Sequence, residues 1–212
     1  MKPLLCYVTD RHALAEPALL AEHIALVVAA GIDWIQIREK DLSARELVAL
    51  TRGGVKVAAS SQRANGTRII VNDRLDVALA AGAGGVHLGE SSLPVATVNP
   101  WRRNAGLRDF LIGASCHSAE AVRAAERDGA DYIIFGPVFS TPSKEQFGAP
   151  QGINRLAEAS KAVRIPVLAI GGITEENARD CFDAGAAGIA AIRMFSETRD
   201  LAALCERLRA PR

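Results

Sequence analysis

The stretch NDRLDVALAAGAGGVHLGE at residues 72–90 decides the fold. It begins with an alanine-rich amphipathic segment, continues through Gly82 and ends in a short apolar run. This order predicts a helix, a glycine C-cap and a buried strand, because glycine readily adopts the left-handed conformation that ends many helices. The same order recurs around Gly31, Gly129 and Gly185, which predicts four copies of one structural unit.

Four further apolar runs lie between these copies, at 4–9, 68–71, 111–114 and 167–170, and a helical pattern follows each of them. Eight strands that alternate with helices predict a parallel sheet. At about 26 residues per unit, the chain has the length of a (β/α)8 barrel. We therefore predict an α/β protein with residues 1–212 as a single TIM-barrel domain. An open doubly wound sheet is the alternative, but it usually has fewer strands.

Composition excludes several classes of protein. Apolar residues make up 49% of the chain and charged residues 23%, which excludes disorder over most of it. The net charge is +1, so no nucleic-acid partner is expected. No apolar stretch approaches the ~20 residues that cross a bilayer, so no membrane association is expected. The four cysteines form no CxxC pair and fit a reducing compartment, which predicts a cytoplasmic location.

Polar side chains follow the predicted strands, at the end of a barrel where active sites lie. Arg38, Lys40 and Lys144 are cations in these positions, and together they indicate an anionic ligand. The plainer interpretation is that Arg38 and Lys40 are solvated loop cations partnered by Glu39 and Asp41.

A second anion site is predicted after the seventh strand. Gly171 and Gly172 precede a predicted helix with Glu175 and Glu176 in its first turn. Backbone N–H groups at the start of a helix bind phosphate, and loops after strands seven and eight often do so in barrels. The alternative interpretation of the two glycines is a tight turn.

The histidines divide into one candidate catalyst and one candidate core residue. His117 follows the fifth strand and stands near the start of a helix, where a neutral imidazole can accept and return a proton. A helix-capping or solvent-facing histidine is equally open. His87 lies in an apolar strand and is interpreted as a core residue, and Cys116 as a packing residue. The polar segment 141–151 is longer than a typical βα loop and is predicted to be a lid or disordered.

Taken in order, these motifs resemble the thiamine phosphate synthase/TenI superfamily over nearly the whole chain. The resemblance rests on QIREK at 36–40, the stretch at 72–90, IGASCHS at 112–118, GADYIIFGPVFSTPSK at 129–144 and AIGGIT at 169–174. It implies an enzyme of thiamine biosynthesis that acts on a thiazole phosphate. Synthases of this superfamily join hydroxymethylpyrimidine diphosphate to the thiazole phosphate with Mg²⁺ and release pyrophosphate. Related barrels are often dimers, so a homodimer is compatible with the resemblance.

The resemblance also implies roles for individual residues. The pyrimidine diphosphate would be held by Gln36, Arg38, Lys40, Asn72 and Lys144, with Ser115 beside the pyrimidine. Asp73 would be a metal ligand. The thiazole phosphate would be held by Thr141, Ser143, Gly171, Gly172, Ile192 and Arg193.

The chain departs from the synthase pattern after its fourth strand. Glu90-Ser91-Ser92 stands where synthases usually have Gln and an acidic pair, so one carboxylate ligand of Mg²⁺ is missing. FGPVFSTPSKEQFGAPQG at 135–152 is more like the TenI branch, which is associated with thiazole tautomerase chemistry. That chemistry needs a phosphate site and an acid–base group but no metal. We therefore predict a TenI-type tautomerase, an isomerase without a cofactor, in which His117 transfers the proton.

Two alternatives stay open. The first is a thiamine phosphate synthase, a transferase that uses Mg²⁺ through Asp73, and the retained QIREK motif favours it. The second is a catalytically silent regulatory or ligand-binding homologue. Arg193 stands where the family usually has small residues, and it would either add charge at the phosphate or crowd it.

Overall fold

The computed structural model describes residues 2–61, 66–140 and 150–210, and within these residues eight parallel strands form a closed barrel. The strands are β1 (Leu4–Val8), β2 (Trp34–Ile37), β3 (Arg68–Asn72), β4 (Gly85–Leu88), β5 (Leu111–Cys116), β6 (Tyr132–Phe135), β7 (Val167–Ile170) and β8 (Gly188–Ala191). The ring closes because β1 pairs with both β2 and β8. The predicted (β/α)8 TIM barrel is confirmed.

Helices alternate with these strands. They are α1 (Leu20–Ala30), α2 (Ala44–Ser60), α3 (Leu75–Ala81), α4 (Val95–Asn104), α5 (Ala119–Asp128), α6 (Gly152–Ala162), α7 (Ala178–Asp183), α8 (Arg193–Ser196) and α9 (Leu201–Arg209). Gly31, Gly82 and Gly129 are the predicted left-handed C-caps of α1, α3 and α5. Gly185 lies one residue beyond the C-cap of α7 and is also left-handed. Across the described ranges, no helix is both long and apolar enough to cross a membrane.

The core has two layers, because successive side chains of a strand point to opposite faces of the sheet. One layer fills the lumen of the barrel and consists of Cys6, Val8, Ile70, Tyr132, Ile134, Leu168 and Ala190. The larger layer lies between the outer face of the strands and the helices. All four cysteines are reduced thiols and are buried in these layers. The lumen layer supports the polar side chains that follow it at the carboxyl ends of the strands.

Two aspartates tie the amino-terminal end of the barrel in the same way. The Asp33 carboxylate accepts a hydrogen bond from the Leu5 N–H at 2.8 Å and another from the Arg209 guanidinium at 2.6 Å. The Asp131 carboxylate accepts from a β5 backbone N–H at 2.7 Å and pairs with the Arg102 guanidinium. Each aspartate follows a helix-capping glycine by two residues. The sequence repeat therefore also repeats this pair of hydrogen bonds, which joins the start of a strand to the neighbouring strand and to a helix.

Asp131→Ala is expected to lower the free energy of unfolding by about 2–3 kcal/mol, because it leaves a half-buried network without its acceptor. The Arg102 side chain is 12% exposed and would lose its carboxylate partner, while a backbone N–H would lose its acceptor. Urea denaturation measures the change. Glu175→Ala is the control, since its ion pair with Arg207 is exposed and is expected to contribute less than about 1 kcal/mol. Equal losses in the two variants would contradict this account.

Candidate active site

Polar side chains from neighbouring strands meet at the carboxyl-terminal mouth of the barrel. The Gln36 side-chain N–H donates to the Asn72 side-chain oxygen at 2.9 Å, which joins β2 to β3. The His87 Nε2 atom lies 2.8 Å from the Ser115 hydroxyl, which joins β4 to β5. The Gln36 amide oxygen is buried and has no partner among the described residues, so it remains free to accept a hydrogen bond from a ligand.

The loop after β2 carries two cations, Arg38 and Lys40, whose acidic neighbours pair with another residue. Arg11, from the loop after β1, forms a forked pair with Asp41, with both N–O distances at 2.6 Å, and also contacts the buried Glu39. Arg38 and Lys40 form no ion pair with any residue in the described ranges. Glu39 and Asp41 are therefore not the partners of these cations, contrary to the plainer interpretation of the QIREK motif, although Lys40 is exposed as that interpretation expects. Arg38 and Lys40 are left available to an anionic ligand.

Asp73 follows β3 in the left-handed conformation, with φ of 67°, and its side chain is exposed. Its backbone N–H donates to the His87 carbonyl at 2.7 Å, which fixes its place beside β4. Ser92 does not replace the missing carboxylate, because its hydroxyl accepts a hydrogen bond from the Gly89 N–H at 2.7 Å within a turn.

The described part of the chain contains no cluster of three or more His, Cys, Asp or Glu side chains able to hold a metal ion. Mg²⁺ commonly binds through one or two carboxylates together with substrate phosphates and water. Asp73 therefore fits a Mg²⁺ ion that is shared with a diphosphate, but not one held by protein ligands alone.

A second group of polar atoms at the mouth consists of backbone N–H groups in the turns after β7 and β8. The N–H groups of Gly172, Ile173, Ile192 and Arg193 donate to no acceptor within the described ranges. Gly171 and Gly172 both have positive φ and are partly exposed. Helix α8 begins at Arg193 and has four residues, the kind of short extra helix whose start often binds phosphate in barrels. The Arg193 side chain is exposed.

The helix predicted to begin directly after Thr174 begins later, at Ala178. Thr174 and Asn177 instead close a turn, in which the Thr174 N–H donates to the Asn177 side chain at 2.8 Å. Glu175 leaves this turn to pair with Arg207. The prediction that Glu175 and Glu176 lie in the first turn of a helix is therefore wrong, because local side-chain hydrogen bonds favour a turn over a helix there.

His117 lies at the rim of the mouth. Its Nδ1 atom contacts the Gly136 carbonyl oxygen, and its Nε2 atom lies 3.6 Å from the Glu90 carboxylate. Neighbouring Cys116 is buried, and burial raises the pKa of its thiol to about 12, which agrees with packing rather than a nucleophilic role. Thr141, Ser143 and Lys144, and the predicted lid apart from its last two residues, lie outside the described residues.

Sequence reasoning missed the link between His87 and the mouth. His87 is a core residue as predicted, but it also contacts Ser115, and its Nδ1 atom lies 3.2 Å from the Tyr132 hydroxyl. Burial lowers the pKa of His87 to about 3, so the ring is neutral at pH 7. Burial also raises the pKa of Tyr132 well above its usual value, so its hydroxyl keeps its proton. The register explains the contact, because His87 pairs with Gly113 and Ser115 shares the Gly113 face.

The structure is a closed (β/α)8 TIM barrel whose mouth, within the described ranges, carries cations without ion pairs and backbone N–H groups without acceptors. The family described as thiamine monophosphate synthase matches residues 5–195, and the chain belongs to that family. It is 42% identical to a thiamine-phosphate synthase of Roseiflexus castenholzii over 87% of this chain and 77% of that protein. It is 39% identical to a thiamine-phosphate synthase of Moorella thermoacetica, over 97% and 93% of the two chains.

Solved structures agree with these relatives. Thiamine phosphate pyrophosphorylase from Pyrococcus furiosus superposes with a TM-score of 0.82 at 32% identity, over 97% of this chain and 93% of that chain. A 3-hexulose-6-phosphate synthase superposes with a TM-score of 0.68 at 20% identity, a likeness that shows the fold alone.

The predicted TenI-type thiazole tautomerase is wrong, and so is the isomerase class, because the relatives are named thiamine-phosphate synthases and the similar solved structure is named a thiamine phosphate pyrophosphorylase. The error arose from the segment Glu90-Ser91-Ser92. A missing second carboxylate does not exclude Mg²⁺, because substrate phosphates can supply the other oxygen ligands. The synthase alternative is the one that the relatives favour.

Proposed function

We propose that the chain is a thiamine phosphate synthase that joins hydroxymethylpyrimidine diphosphate to a thiazole phosphate and releases pyrophosphate. The observation that carries the proposal is the similarity to named synthases over nearly nine-tenths or more of the chain. The site supports it with two separate groups of anion-binding features at one mouth, one after β2 and one after β7 and β8, and two phosphorylated substrates would need two such groups.

The diphosphate would lie against the cations of the QIREK loop. Arg38 and Lys40 are unpaired in the described structure and would neutralise the charge that develops as the carbon–oxygen bond breaks. Lys144 would join them, as the family resemblance implies. When bound, Mg²⁺ would add positive charge at the leaving diphosphate, and Asp73 is the residue that would hold it.

The two rings would be held between these anion sites. Gln36, Asn72 and Ser115 would bind the pyrimidine, and the first two are already joined by a hydrogen bond. The thiazole phosphate would be held by Thr141, Ser143, Gly171, Gly172, Ile192 and Arg193. Anchoring that phosphate brings the thiazole nitrogen to the methylene carbon of the pyrimidine. A carbon–nitrogen bond forms, the carbon–oxygen bond breaks, and pyrophosphate leaves with the electron pair.

Both proposed substrates are small molecules. We further propose that residues 1–212 act as one domain, and the cytoplasmic location and the homodimer stay predictions.

A coupling assay tests the function, and His117→Ala separates it from proton-transfer chemistry. We expect thiamine phosphate and pyrophosphate to form in equal amounts from the two substrates with Mg²⁺. Formation of the carbon–nitrogen bond needs no protein acid or base, so His117→Ala should lower the rate less than about tenfold. Loss of a general acid–base residue typically costs about 10²–10⁴-fold. Chromatography of the products at a series of substrate concentrations measures both rates.

Arg38→Ala is the comparison variant and should lose far more activity, because it removes a charge that faces the diphosphate. A folded wild-type protein that binds thiazole phosphate but forms no thiamine phosphate would contradict the proposal and favour the silent ligand-binding homologue.

A further inference from the structure

Three polar side chains form a continuous chain from the interior of the barrel to its mouth. Tyr132 of β6 contacts His87 of β4 at 3.2 Å, and His87 contacts Ser115 of β5 at 2.8 Å. Tyr132 is 1% exposed and His87 is 2% exposed, whereas Ser115 is only partly buried. These three hydrogen-bonded side chains therefore connect a water-excluded lumen to the place where a ligand would bind.

The direction of these hydrogen bonds follows from the surroundings of Tyr132. The Tyr132 ring packs among apolar lumen side chains and against Trp34, with 4.6 Å between ring centroids. Within the described ranges, His87 Nδ1 is the only hydrogen-bond partner of the Tyr132 hydroxyl. A buried hydroxyl proton without an acceptor is strongly disfavoured, so Tyr132 donates to Nδ1.

A neutral imidazole carries one proton, and a ring that accepts at Nδ1 carries it on Nε2. The Nε2–H group then donates to the Ser115 oxygen. The opposite tautomer would leave the Tyr132 proton without an acceptor in an apolar lumen. Ser115 has no such constraint, because its hydroxyl lies at the mouth, where water or a ligand can accept its proton.

We propose that His87, with its tautomer fixed by Tyr132, is a positioning residue that makes the Ser115 hydroxyl a hydrogen-bond donor toward the ligand. The ligand atom that Ser115 contacts is then an acceptor, such as an unprotonated ring nitrogen. The buried Gln36 oxygen, which has no partner in the described structure, has the opposite polarity and would accept a hydrogen bond from a ligand N–H group. One donor and one acceptor together match an aminopyrimidine, so the inference deepens the proposed function and rests on it for the identity of the ligand.

The tautomer of His87 can be measured in the ligand-free protein. Nitrogen NMR at pH 7, on protein labelled with ¹⁵N-histidine, distinguishes a ring protonated on Nε2 from one protonated on Nδ1, and His87→Gln assigns the resonance. We expect Nε2–H in the wild type and a shift toward a mixture of tautomers in Tyr132→Phe. A wild-type ring protonated on Nδ1 would overturn the proposal.

Tyr7→Phe is a matched control for Tyr132→Phe. Tyr7 is also fully buried, but it lies outside the lumen against His23, and its hydroxyl has no partner in the described structure. This variant should leave the His87 resonances and the coupling rate unchanged. If Tyr7→Phe moved the His87 resonances as far as Tyr132→Phe does, the effect would be general to the core and the proposal would fail.

A double-mutant cycle tests whether Tyr132 acts on the ligand through Ser115. Tyr132→Phe should lower kcat/KM for the pyrimidine diphosphate about tenfold and leave KM for the thiazole phosphate unchanged. In the Ser115→Ala background, the same change should cost less than twofold, because Tyr132 acts through Ser115. His87→Gln should retain at least fivefold more activity than His87→Leu, since a glutamine amide can still donate. Additive losses, or equal losses in the two His87 variants, would overturn the inference.

The two measurements separate this inference from the proposed function. If the wild type formed no thiamine phosphate, the proposed function would fail, while Nε2–H at His87 would still support the direction of the hydrogen bonds. If the wild type coupled its substrates while His87 carried its proton on Nδ1, the function would stand and the inference would fail.

Discussion

Asp73→Asn is expected to lower the coupling rate on the order of 10²–10³-fold, the typical cost of losing one charge-stabilising group in an active site. Asparagine adopts the left-handed conformation as readily as aspartate, so the φ of 67° at this position is tolerated. The backbone hydrogen bond to the His87 carbonyl is also unaffected. The variant therefore removes one negative charge and leaves the local fold intact.

A second measurement of this variant does not depend on turnover. Calorimetric titration of Mg²⁺ into protein that contains inorganic pyrophosphate should show binding in the wild type and at least tenfold weaker binding in Asp73→Asn. Asp76→Asn is the matched control, because that carboxylate is exposed nearby and pairs with Arg74. Equal Mg²⁺ affinity in the wild type and Asp73→Asn would contradict the assignment of Asp73 as the metal ligand.

Much of the fold could be predicted because it rests on local patterns. The repeat of amphipathic segment, glycine and apolar run reflects helix periodicity and the conformational freedom of glycine, and both act within about 20 residues of chain. The position of Asn72 and Ser115 at the mouth follows from the same reasoning, since both stand at the ends of strands. The start of α7 was missed, because Thr174 and Asn177 form a turn that no apolar pattern indicates.

Contacts between distant strands could not be predicted in the same way. Arg11 binds Glu39 and Asp41, the acidic neighbours of the QIREK cations, although it lies 28 and 30 residues away from them in sequence. His87 reaches Tyr132 across the lumen, and that contact depends on the register of three strands. Register in a closed barrel is set by the packing of the whole lumen rather than by the residues of one strand. The partners of Arg38 and His87 are therefore properties of the assembled barrel.

The prediction of a tautomerase is wrong for a related reason. A pattern of metal ligands after β4, taken one position at a time, counts protein carboxylates but not substrate oxygens. Ser92 also has a structural role there, because its hydroxyl caps the turn that begins at Gly89. A missing ligand is weak evidence against Mg²⁺ when the substrate itself is a diphosphate.

Gly113→Ala is expected to lower the free energy of unfolding by about 3 kcal/mol, at the upper end of the cost of overpacking a core. A β-carbon on Gly113 would overlap the Cζ atom and the hydroxyl oxygen of Tyr132. The Tyr132 ring cannot move away freely, because Trp34 and the lumen side chains enclose it. The melting temperature should fall by about 6–12 °C for a chain of this size. Any displacement of Tyr132 also separates it from His87, so the coupling rate should fall as well.

Gly53→Ala is the matched control, because it makes the same change where there is room. Gly53 lies in the exposed middle of α2, and a β-carbon there would meet no atom within 4 Å. Alanine in a helix is more stable than glycine by about 0.5–1 kcal/mol, so this variant should melt slightly higher than the wild type. Opposite shifts in the two variants would show that the loss at Gly113 comes from the Tyr132 ring. A Gly113→Ala protein that melted like the wild type would mean that Tyr132 can repack, and the lumen would then not fix the tautomer of His87.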